Sequence, residues 1–241
     1  VCTIASNVTG QILPYREIAQ VCRSHGVCMI ADGAQACGIL PLSLERDGMH
    51  ILCTAGHKGL YGSTGTGILM TDCAFPIQPL MQGGTGSASR SPEQPDFLPD
   101  RLEAGTHNVP GIAGLEAGIS FVRAQRQERI LHHSRALIRK AGEGLQRIPH
   151  VHAFLSPNAG AQAGVLSFCM EGLSPEALAE LLSARGFALR AGLHCAPFAH
   201  KTVGTLPEGT VRLSVSAFNR ESEIDQFLSS LHAIAARHTK N

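Results

Sequence analysis

The sequence of 241 residues carries little charge and contains no long hydrophobic run. Charged residues make up 16%, and 20 Lys and Arg residues nearly balance 19 Asp and Glu residues. The resulting formal charge of +1 gives no long-range field that would attract nucleic acid or an anionic membrane. Apolar runs such as Val27 to Ala31 are far shorter than the ~20 residues of a membrane-spanning helix. We therefore predict a protein that binds neither nucleic acid nor membranes.

The beginning of the chain lacks the features of a secretory leader. Residues Val1 to Asn7 contain neither the basic region nor the long apolar stretch of a signal peptide, and the first residue is not Met. We expect a cytoplasmic protein, and a chain that lacks the N-terminal part of its first domain.

The eight cysteines lack the clustering that is typical of a small disulfide-rich domain. Most lie in apolar segments, as the buried, reduced thiols of a cytosolic protein do. They occupy positions 2, 22, 28, 37, 53, 73, 169 and 195. Cys195 alone has neighbours that suggest a chemical role.

The pattern of apolar residues predicts two domains. At 44%, hydrophobic residues are frequent enough for a folded protein of one large or two smaller domains. In the first part, strand-length apolar runs alternate with helical patterns, which is typical of an α/β sheet that binds ligands at its strand ends. Strands are predicted near residues 1–7, 27–31, 51–53 and 67–70. The Gly-, Ser- and Pro-rich stretch from Gly83 to Pro110 is predicted to be a functional loop at an active site or interface.

The remaining sequence favours a smaller α+β domain. A helix-rich stretch extends from Gly111 to about Gln146, and strands follow near residues 164–170 and 210–216. A helix begins at Ser174-Pro175, and a final helix carries an apolar stripe behind Asn219 as its predicted cap. We place the large domain at residues 1–130 and the small domain at residues 131–241.

Two polar residues each follow a predicted strand of the large domain. Taken alone, Asp32 fits a strand-end helix cap and Lys58 fits a solvated loop. Together, the lysine and the carboxylate match the requirements of one class of enzyme. Enzymes that use pyridoxal phosphate (PLP) require a lysine for the Schiff base and a carboxylate that keeps the pyridine nitrogen protonated.

Five motifs lie in the order and spacing of class V PLP enzymes. They are Ser6-Asn7-Val8-Thr9-Gly10, Asp32-Gly33-Ala34-Gln35, Gly56-His57-Lys58-Gly59, Glu103-Ala104-Gly105-Thr106 and Arg190-Ala191-Gly192-Leu193-His194-Cys195-Ala196. On these motifs the chain resembles a cysteine desulfurase of the class V aminotransferase family, of the type with a short, ordered cysteine loop. The resemblance implies the α/β fold of type I PLP-dependent transferases, with a large domain truncated at its N-terminus and a smaller C-terminal α+β domain. It also implies a homodimer.

The resemblance assigns roles to individual residues. Lys58 would hold PLP, Asp32 would pair with the pyridine nitrogen, and Gln35 would bind the ring hydroxyl. His57 and Thr106 would contact the phosphate, the latter from the neighbouring subunit. The substrate carboxylate would be bound by Arg212, with Arg190 close by, and Asn7 would lie near both cofactor and substrate. An arginine fork suits a carboxylate, and Arg212 lies in an apolar strand where a surface ion pair is a weaker explanation.

Cys195 distinguishes sulfur transfer from other reactions of this family. A cysteine judged alone is more often a packed core residue. Here His194 and Arg190 give an electropositive setting in which a thiol can ionise, and the thiolate is the nucleophile. The implied reaction converts L-cysteine to L-alanine, leaves a persulfide on Cys195, and passes the sulfur to an acceptor protein or small thiol.

Some observations leave alternatives open. Ala55 occupies a position three residues before Lys58 where the family usually has a Ser or Thr hydroxyl for the phosphate, so PLP affinity is expected to be reduced. The competing hypotheses are aminotransferase activity, selenocysteine lyase activity, and a non-catalytic fragment that serves as a folded or dimerising module. The spacing His50-x-x-Cys53-x-x-x-His57 is a poor match to structural zinc sites, and we predict no metal site.

Overall fold

The computed structural model describes residues 1–238, which form two four-stranded sheets with helices packed on them. The first sheet contains β1 (Cys2–Thr3), β2 (Ile30–Asp32), β3 (Ile51–Ala55) and β4 (Gly67–Thr71). The second contains β5 (Val151–Phe154), β6 (Val165–Met170), β7 (Arg190–Gly192) and β8 (Thr210–Ser214). No helix in residues 1–238 combines the length and apolar character needed to cross a membrane.

The first sheet has the order β1-β2-β3-β4. Its first three strands are parallel, and β4 runs antiparallel to β3. Two helices, α1 (Tyr15–Ser24) and α2 (Leu44–Asp47), connect the parallel strands. Apolar side chains such as Ile4, Met29 and Leu52 are buried in the core beside the sheet. Because β2 and β3 are parallel, Asp32 and Ala55 end their strands at the same edge of the sheet.

A long irregular segment separates β4 from the next helices. Between residues 72 and 108 its regular structure is one short 3-10 helix, Asp100–Leu102. The helix α3 (Val109–Gln125) begins where the Asn108 side chain accepts a hydrogen bond from the Gly111 amide at 3.1 Å. Helix α4 (Gln127–Leu145) follows. The predicted irregular stretch is therefore observed, except that α3 begins at residue 109 rather than 111.

The second sheet is antiparallel and has the order β5-β6-β8-β7. Helices α5 (Pro175–Ser183), α6 (Pro197–Val203) and α7 (Glu221–His238) complete this half. The core that the sheet shares with α4, α5 and α7 contains Phe168, Leu178 and Phe227, all almost fully buried. Burial of this apolar surface is the main force that stabilises the C-terminal half.

Several sequence predictions need correction at this level. Strands β5 and β7 and helix α6 were not predicted, because each is short and its apolar pattern is weak. Asn219 does not cap α7; its side-chain oxygen accepts a hydrogen bond from the Ser216 amide at 2.9 Å. The predicted domain boundary between residues 130 and 131 falls inside α4 and stays a prediction.

The loop Ser6–Gly10 connects the first sheet to the second. The Ser167 hydroxyl donates to the Val8 carbonyl at 2.6 Å, and the Gln162 amide donates to the Thr9 carbonyl at 2.9 Å. Gly10 has a φ of +71°, and a Cβ there would lie 2.1 Å from the Val165 carbonyl oxygen. This loop can approach β6 so closely because residue 10 has no side chain.

Replacing Gly10 with alanine should therefore destabilise the protein more than the same change at Gly26. Both glycines have positive φ, but a Cβ at Gly26 meets nothing within 4 Å. We expect Gly26→Ala to lower the free energy of unfolding by about 1 kcal/mol from backbone strain alone. Gly10→Ala should lower it by about 3 kcal/mol or more, because steric overlap adds to that strain. Urea unfolding of both variants tests this, and equal losses would contradict the proposed close approach.

Candidate functional site

The first group of predicted site residues lies at the strand-end edge of the first sheet. Asp32 is exposed, and its carboxylate accepts a hydrogen bond from the Ala34 amide at 2.9 Å. It borders an open depression whose other walls come from the end of β3, from β4 and from Glu103. The depression is lined by Asp32, Ala34, Cys53, Thr54, Ala55, Thr66, Gly67, Ile68, Leu69 and Glu103.

Lys58 and His57 lie in the turn that follows β3. The Tyr61 amide donates to the Lys58 carbonyl at 2.9 Å, and the Gly62 amide closes the turn on the Gly56 carbonyl at 2.8 Å. Both side chains are exposed, and neither borders the depression beside Asp32. The structure thus places Asp32 and Lys58 at one edge of the sheet, and their convergence on one ligand stays a prediction.

Gln35 and Thr106 complete the cofactor residues predicted from the motifs. Gln35 is half-buried in the turn that follows β2. Thr106 is exposed near the end of the irregular segment, two residues before the cap of α3. The structure brings neither side chain into a hydrogen bond with Asp32 or Lys58.

The residues at this edge fit the ring of PLP. Within the described chain, neither the carboxylate of Asp32 nor the amine of Lys58 forms an ion pair, so both groups are available to a ligand. The fit to the phosphate is poorer. Ala55 has no hydroxyl, and the buried Thr54 hydroxyl beside it points to the Gly33 carbonyl at 3.4 Å.

The second group surrounds Cys195, which lies in a tight turn between β7 and α6. The Ala196 amide donates to the Leu193 carbonyl at 2.9 Å and closes the turn. His194 and Cys195 have φ values of 52° and 60°, a left-handed conformation that costs about 1–2 kcal/mol for each non-glycine residue. The Cys195 side chain is exposed. Backbone strain of this kind is common where a reactive side chain is presented.

Two arginines lie beside the Cys195 turn. Arg190 Nη2 is 3.4 Å from Cys195 Sγ, and Arg190 pairs with Arg212 across β7 and β8. A cation near a cysteine favours the thiolate. Burial, together with the positive charge of Arg190, lowers the pKa of Arg212, whereas the charge of Cys195 raises it. Because an arginine stays charged in proteins, Arg212 remains a half-buried cation here.

Arg212 also has hydrogen-bonding capacity to spare. Its Nη1 donates to the Asn7 carbonyl at 3.1 Å, while its buried Nε has no hydrogen-bond partner among residues 1–238. A buried donor without a partner is unfavourable. A carboxylate ligand would satisfy it and would suit the arginine fork.

Asn7 and Thr210 fix the Cys195 turn in place through hydrogen bonds to His194. The Asn7 side-chain amide donates to the His194 carbonyl at 2.7 Å, and His194 Nε2 lies 3.1 Å from the Thr210 hydroxyl. Burial, and then the charge of Arg212, lower the pKa of His194 to about 4, so the ring is neutral near physiological pH. Sequence reasoning missed Thr210; its position two residues before Arg212, on the same face of β8, was the available signal.

Three other cysteines have properties that oppose reactivity. Burial raises the pKa of Cys37 and Cys53, and the nearby carboxylate of Asp32 raises both further. Burial likewise raises the pKa of Cys169, with Glu171 adding to the effect. These thiols stay protonated, whereas Cys195 is exposed and has an arginine beside it.

Comparison with known proteins gives a consistent result. The family model described as Aminotransferase class-V matches residues 1–227. A protein of Pasteurella multocida named "Probable cysteine desulfurase" is 32% identical over 233 residues, which is 95% of this chain and 54% of that protein. A protein of the same name from Mycolicibacterium paratuberculosis is 35% identical over 234 residues, or 95% of this chain and 33% of that protein.

Solved structures show the same fold. The apo structure of a cysteine desulfurase from Thermococcus onnurineus matches with a TM-score of 0.89 at 30% identity, covering 98% of this chain and 60% of that one. A cysteine desulfurase from Escherichia coli matches with a TM-score of 0.86 at 26% identity, covering 98% and 58%. These similarities confirm the fold expected from the motifs. The chain spans between a third and three fifths of the length of these proteins.

Alkylation should distinguish the cysteines in the folded protein. At neutral pH, iodoacetamide should label Cys195 and the exposed Cys73 before Cys37, Cys53 and Cys169, because the latter three are protonated and less accessible. Peptide mapping after timed quenching gives the order. In guanidinium chloride the differences should disappear. Labelling of Cys37 or Cys53 as fast as Cys195 would contradict the electrostatic description.

Proposed function

We propose that this chain, which belongs to the aminotransferase class-V family, acts in a PLP-dependent cysteine desulfurase that converts L-cysteine to L-alanine and collects the sulfur on Cys195. The observation that carries the proposal is the exposed Cys195 thiol, 3.4 Å from Arg190 and close to the half-buried cation of Arg212. A nucleophilic sulfur beside a carboxylate-binding arginine is the combination that attack on an amino-acid thiol requires.

The strand-end residues would hold the cofactor. Lys58 would bind PLP covalently, Asp32 would pair with its ring nitrogen, and Gln35 would bind the ring hydroxyl. His57 and the neighbouring subunit's copy of Thr106 would contact the phosphate. When bound, PLP supplies an electron sink that weakens the bond between carbon and sulfur in the substrate.

The substrate would be oriented by its carboxylate. The unpartnered Nε of Arg212 gives a donor for one carboxylate oxygen, and Arg190 lies across the strand pair as a second cation. Asn7 would lie close to the same carboxylate, since its own carbonyl already accepts a hydrogen bond from Arg212. This arrangement would point the substrate sulfur towards the Cys195 turn.

The sulfur transfer balances without an external oxidant. The Cys195 thiolate attacks the substrate sulfur, so that a sulfur–sulfur bond forms while the bond between that sulfur and the substrate carbon breaks. The electron pair of the broken bond stays on carbon, which takes up a proton and becomes the methyl group of alanine. Lys58 would carry protons to and from the substrate carbons. The Cys195 persulfide then passes its outer sulfur to a thiol of an acceptor protein or small molecule.

The other predicted properties belong to the same proposal. A homodimer would bring Thr106 of one subunit to the site of the next, and exposed apolar side chains lie in the region before it, with Leu80 99% and Met81 73% exposed. The proposed location is the cytoplasm, in keeping with eight free cysteines in the described residues.

The competing activities make different products. An aminotransferase would need a keto acid and would not release alanine from cysteine without one. A selenocysteine lyase would prefer the selenium analogue. A module without catalytic activity would release no alanine, and its Lys58 would not form a coloured PLP adduct.

Replacing Cys195 with alanine should separate cofactor binding from sulfur transfer. In the full-length protein, Cys195→Ala should retain the PLP absorbance and its change on adding L-cysteine, but lose alanine release and persulfide formation. Lys58→Ala should lose the PLP absorbance itself. Alanine assay and mass mapping of the persulfide provide the measurements, with Cys28→Ala and the exposed Cys73→Ala as controls that keep activity. Alanine release by Cys195→Ala would show that the sulfur acceptor is another residue.

A hydroxyl at position 55 should strengthen PLP binding. Ala55 ends β3 and lines the same depression as Asp32, at the position where the family usually has Ser or Thr. One added hydrogen bond contributes about 1 kcal/mol, so Ala55→Ser should lower the Kd for PLP by about fivefold. Titration of the apo protein with PLP by absorbance checks this. Ala88→Ser, in the irregular segment, is the control, and equal affinity of both variants would mean that residue 55 does not face the phosphate.

A further inference from the structure

A pair of histidines lies buried beneath the Cys195 turn. His194 is 2% exposed and His200 is 0% exposed, and their ring centroids are 5.5 Å apart at an angle of 43°. His194 belongs to the turn, whereas His200 lies in α6, the helix that follows it. The function proposed above uses neither ring. Burying an imidazole is costly unless it is hydrogen-bonded, and each ring has one such contact, His194 Nε2 with Thr210 and His200 Nδ1 with Thr205.

His200 fastens the turn to the end of α6. Its Nδ1 lies 2.7 Å from the Thr205 hydroxyl, and its backbone amide donates to the Ala196 carbonyl at 3.2 Å. The Thr205 amide in turn donates to the His200 carbonyl at 2.9 Å. One residue thus joins the turn, the helix and the loop beyond it.

The Cys195 turn needs such a support. Two successive residues in left-handed conformation are unfavourable, and such strain persists only where the surroundings enforce it. Asn7 and Thr210 hold His194 through its carbonyl and its ring Nε2. His200 packs against the same ring, with 5.5 Å between the ring centroids. Without His200, a void would open behind His194 and the turn could relax away from Arg190.

We propose that His200 is a positioning residue: by packing against His194, it keeps the Cys195 thiol close to Arg190. The consequence for sulfur transfer rests on the function proposed above, whereas the effect on the thiol does not. His200 would act through the His194 ring, against which it packs.

The charges around this pair show that the support is steric and hydrogen-bonded rather than ionic. Burial lowers the pKa of His200, and the Leu193 carbonyl opposes that shift. Burial and the charges of Arg212, His200 and Arg190 lower the pKa of His194 to about 4. A His with a lowered pKa stabilises the folded state above its unfolded pKa, and this contribution is lost as the pH falls towards 4. Near neutral pH both rings are uncharged, so the positive groups that face Cys195 are Arg190 and Arg212.

The test is the alkylation rate of Cys195 in the full-length protein, with the exposed Cys73 as an internal reference. His200→Ala should slow alkylation of Cys195 relative to Cys73 by about fivefold, the effect of losing one ordinary contact of about 1 kcal/mol. The alkylation rate of Cys73 itself should stay unchanged. His200→Asn, which can keep the hydrogen bond to Thr205, should restore part of the rate. His232→Ala, at an exposed site on α7, should change neither.

Thr205→Val provides a second variant of nearly unchanged volume, in case His200→Ala does not fold. It removes the partner of His200 Nδ1 and should slow Cys195 in the same direction. An unchanged ratio of Cys195 to Cys73 labelling in a folded His200→Ala or Thr205→Val variant would overturn the positioning role.

Activity of the PLP-loaded enzyme distinguishes this proposal from the function it builds on. A slower thiol with a lower kcat for alanine release and an unchanged KM for L-cysteine supports both. A slower thiol with unchanged kcat supports the positioning role of His200 alone, because alanine release then does not depend on the reactivity of the Cys195 thiol.

Discussion

The close packing of the Ser6–Gly10 loop against β6 determines how the two halves of the molecule meet. Gly10 lies where any side chain would overlap the Val165 carbonyl, and Ser167 and Gln162 hold the neighbouring carbonyls of the loop. The loop therefore brings Asn7 to the second sheet, where it bonds both the Cys195 turn and Arg212. Shifting this loop would separate the proposed thiol and carboxylate sites from the strand ends that carry Asp32 and Lys58.

Much of the fold could be predicted from the sequence, because its strongest signals are local. Continuous apolar runs predicted β2 and β3, and the Ser-Pro start with its leucine spacing predicted α5. The motifs around Asp32, Lys58 and Cys195 suggested which chemistry to look for. Short strands such as β5 and β7 could not be predicted, because their stability comes from pairing with β6 and β8 and not from their own residues.

The site was less predictable than the fold because its decisive contacts join distant parts of the chain. Asn7 and His194 are 187 positions apart, and no local pattern indicates that the side chain of one bonds the carbonyl of the other. The lowered pKa of His194 depends likewise on burial and on arginines of two strands. Residue types showed which groups can react; tertiary structure decided which cysteine stays protonated and which is exposed beside a cation.

The tight turn that carries Cys195 also limits where its sulfur can go. The hydrogen bond from Ala196 to Leu193 closes the turn, and α6 follows it at once, so Cys195 lies on a short loop with fixed ends rather than on a long flexible one. A sulfur atom held there can reach little beyond the length of the cysteine side chain itself. In the proposed reaction, an acceptor thiol would therefore have to approach the turn itself, and the shape of the surface around Cys195 would select which acceptors can receive the sulfur.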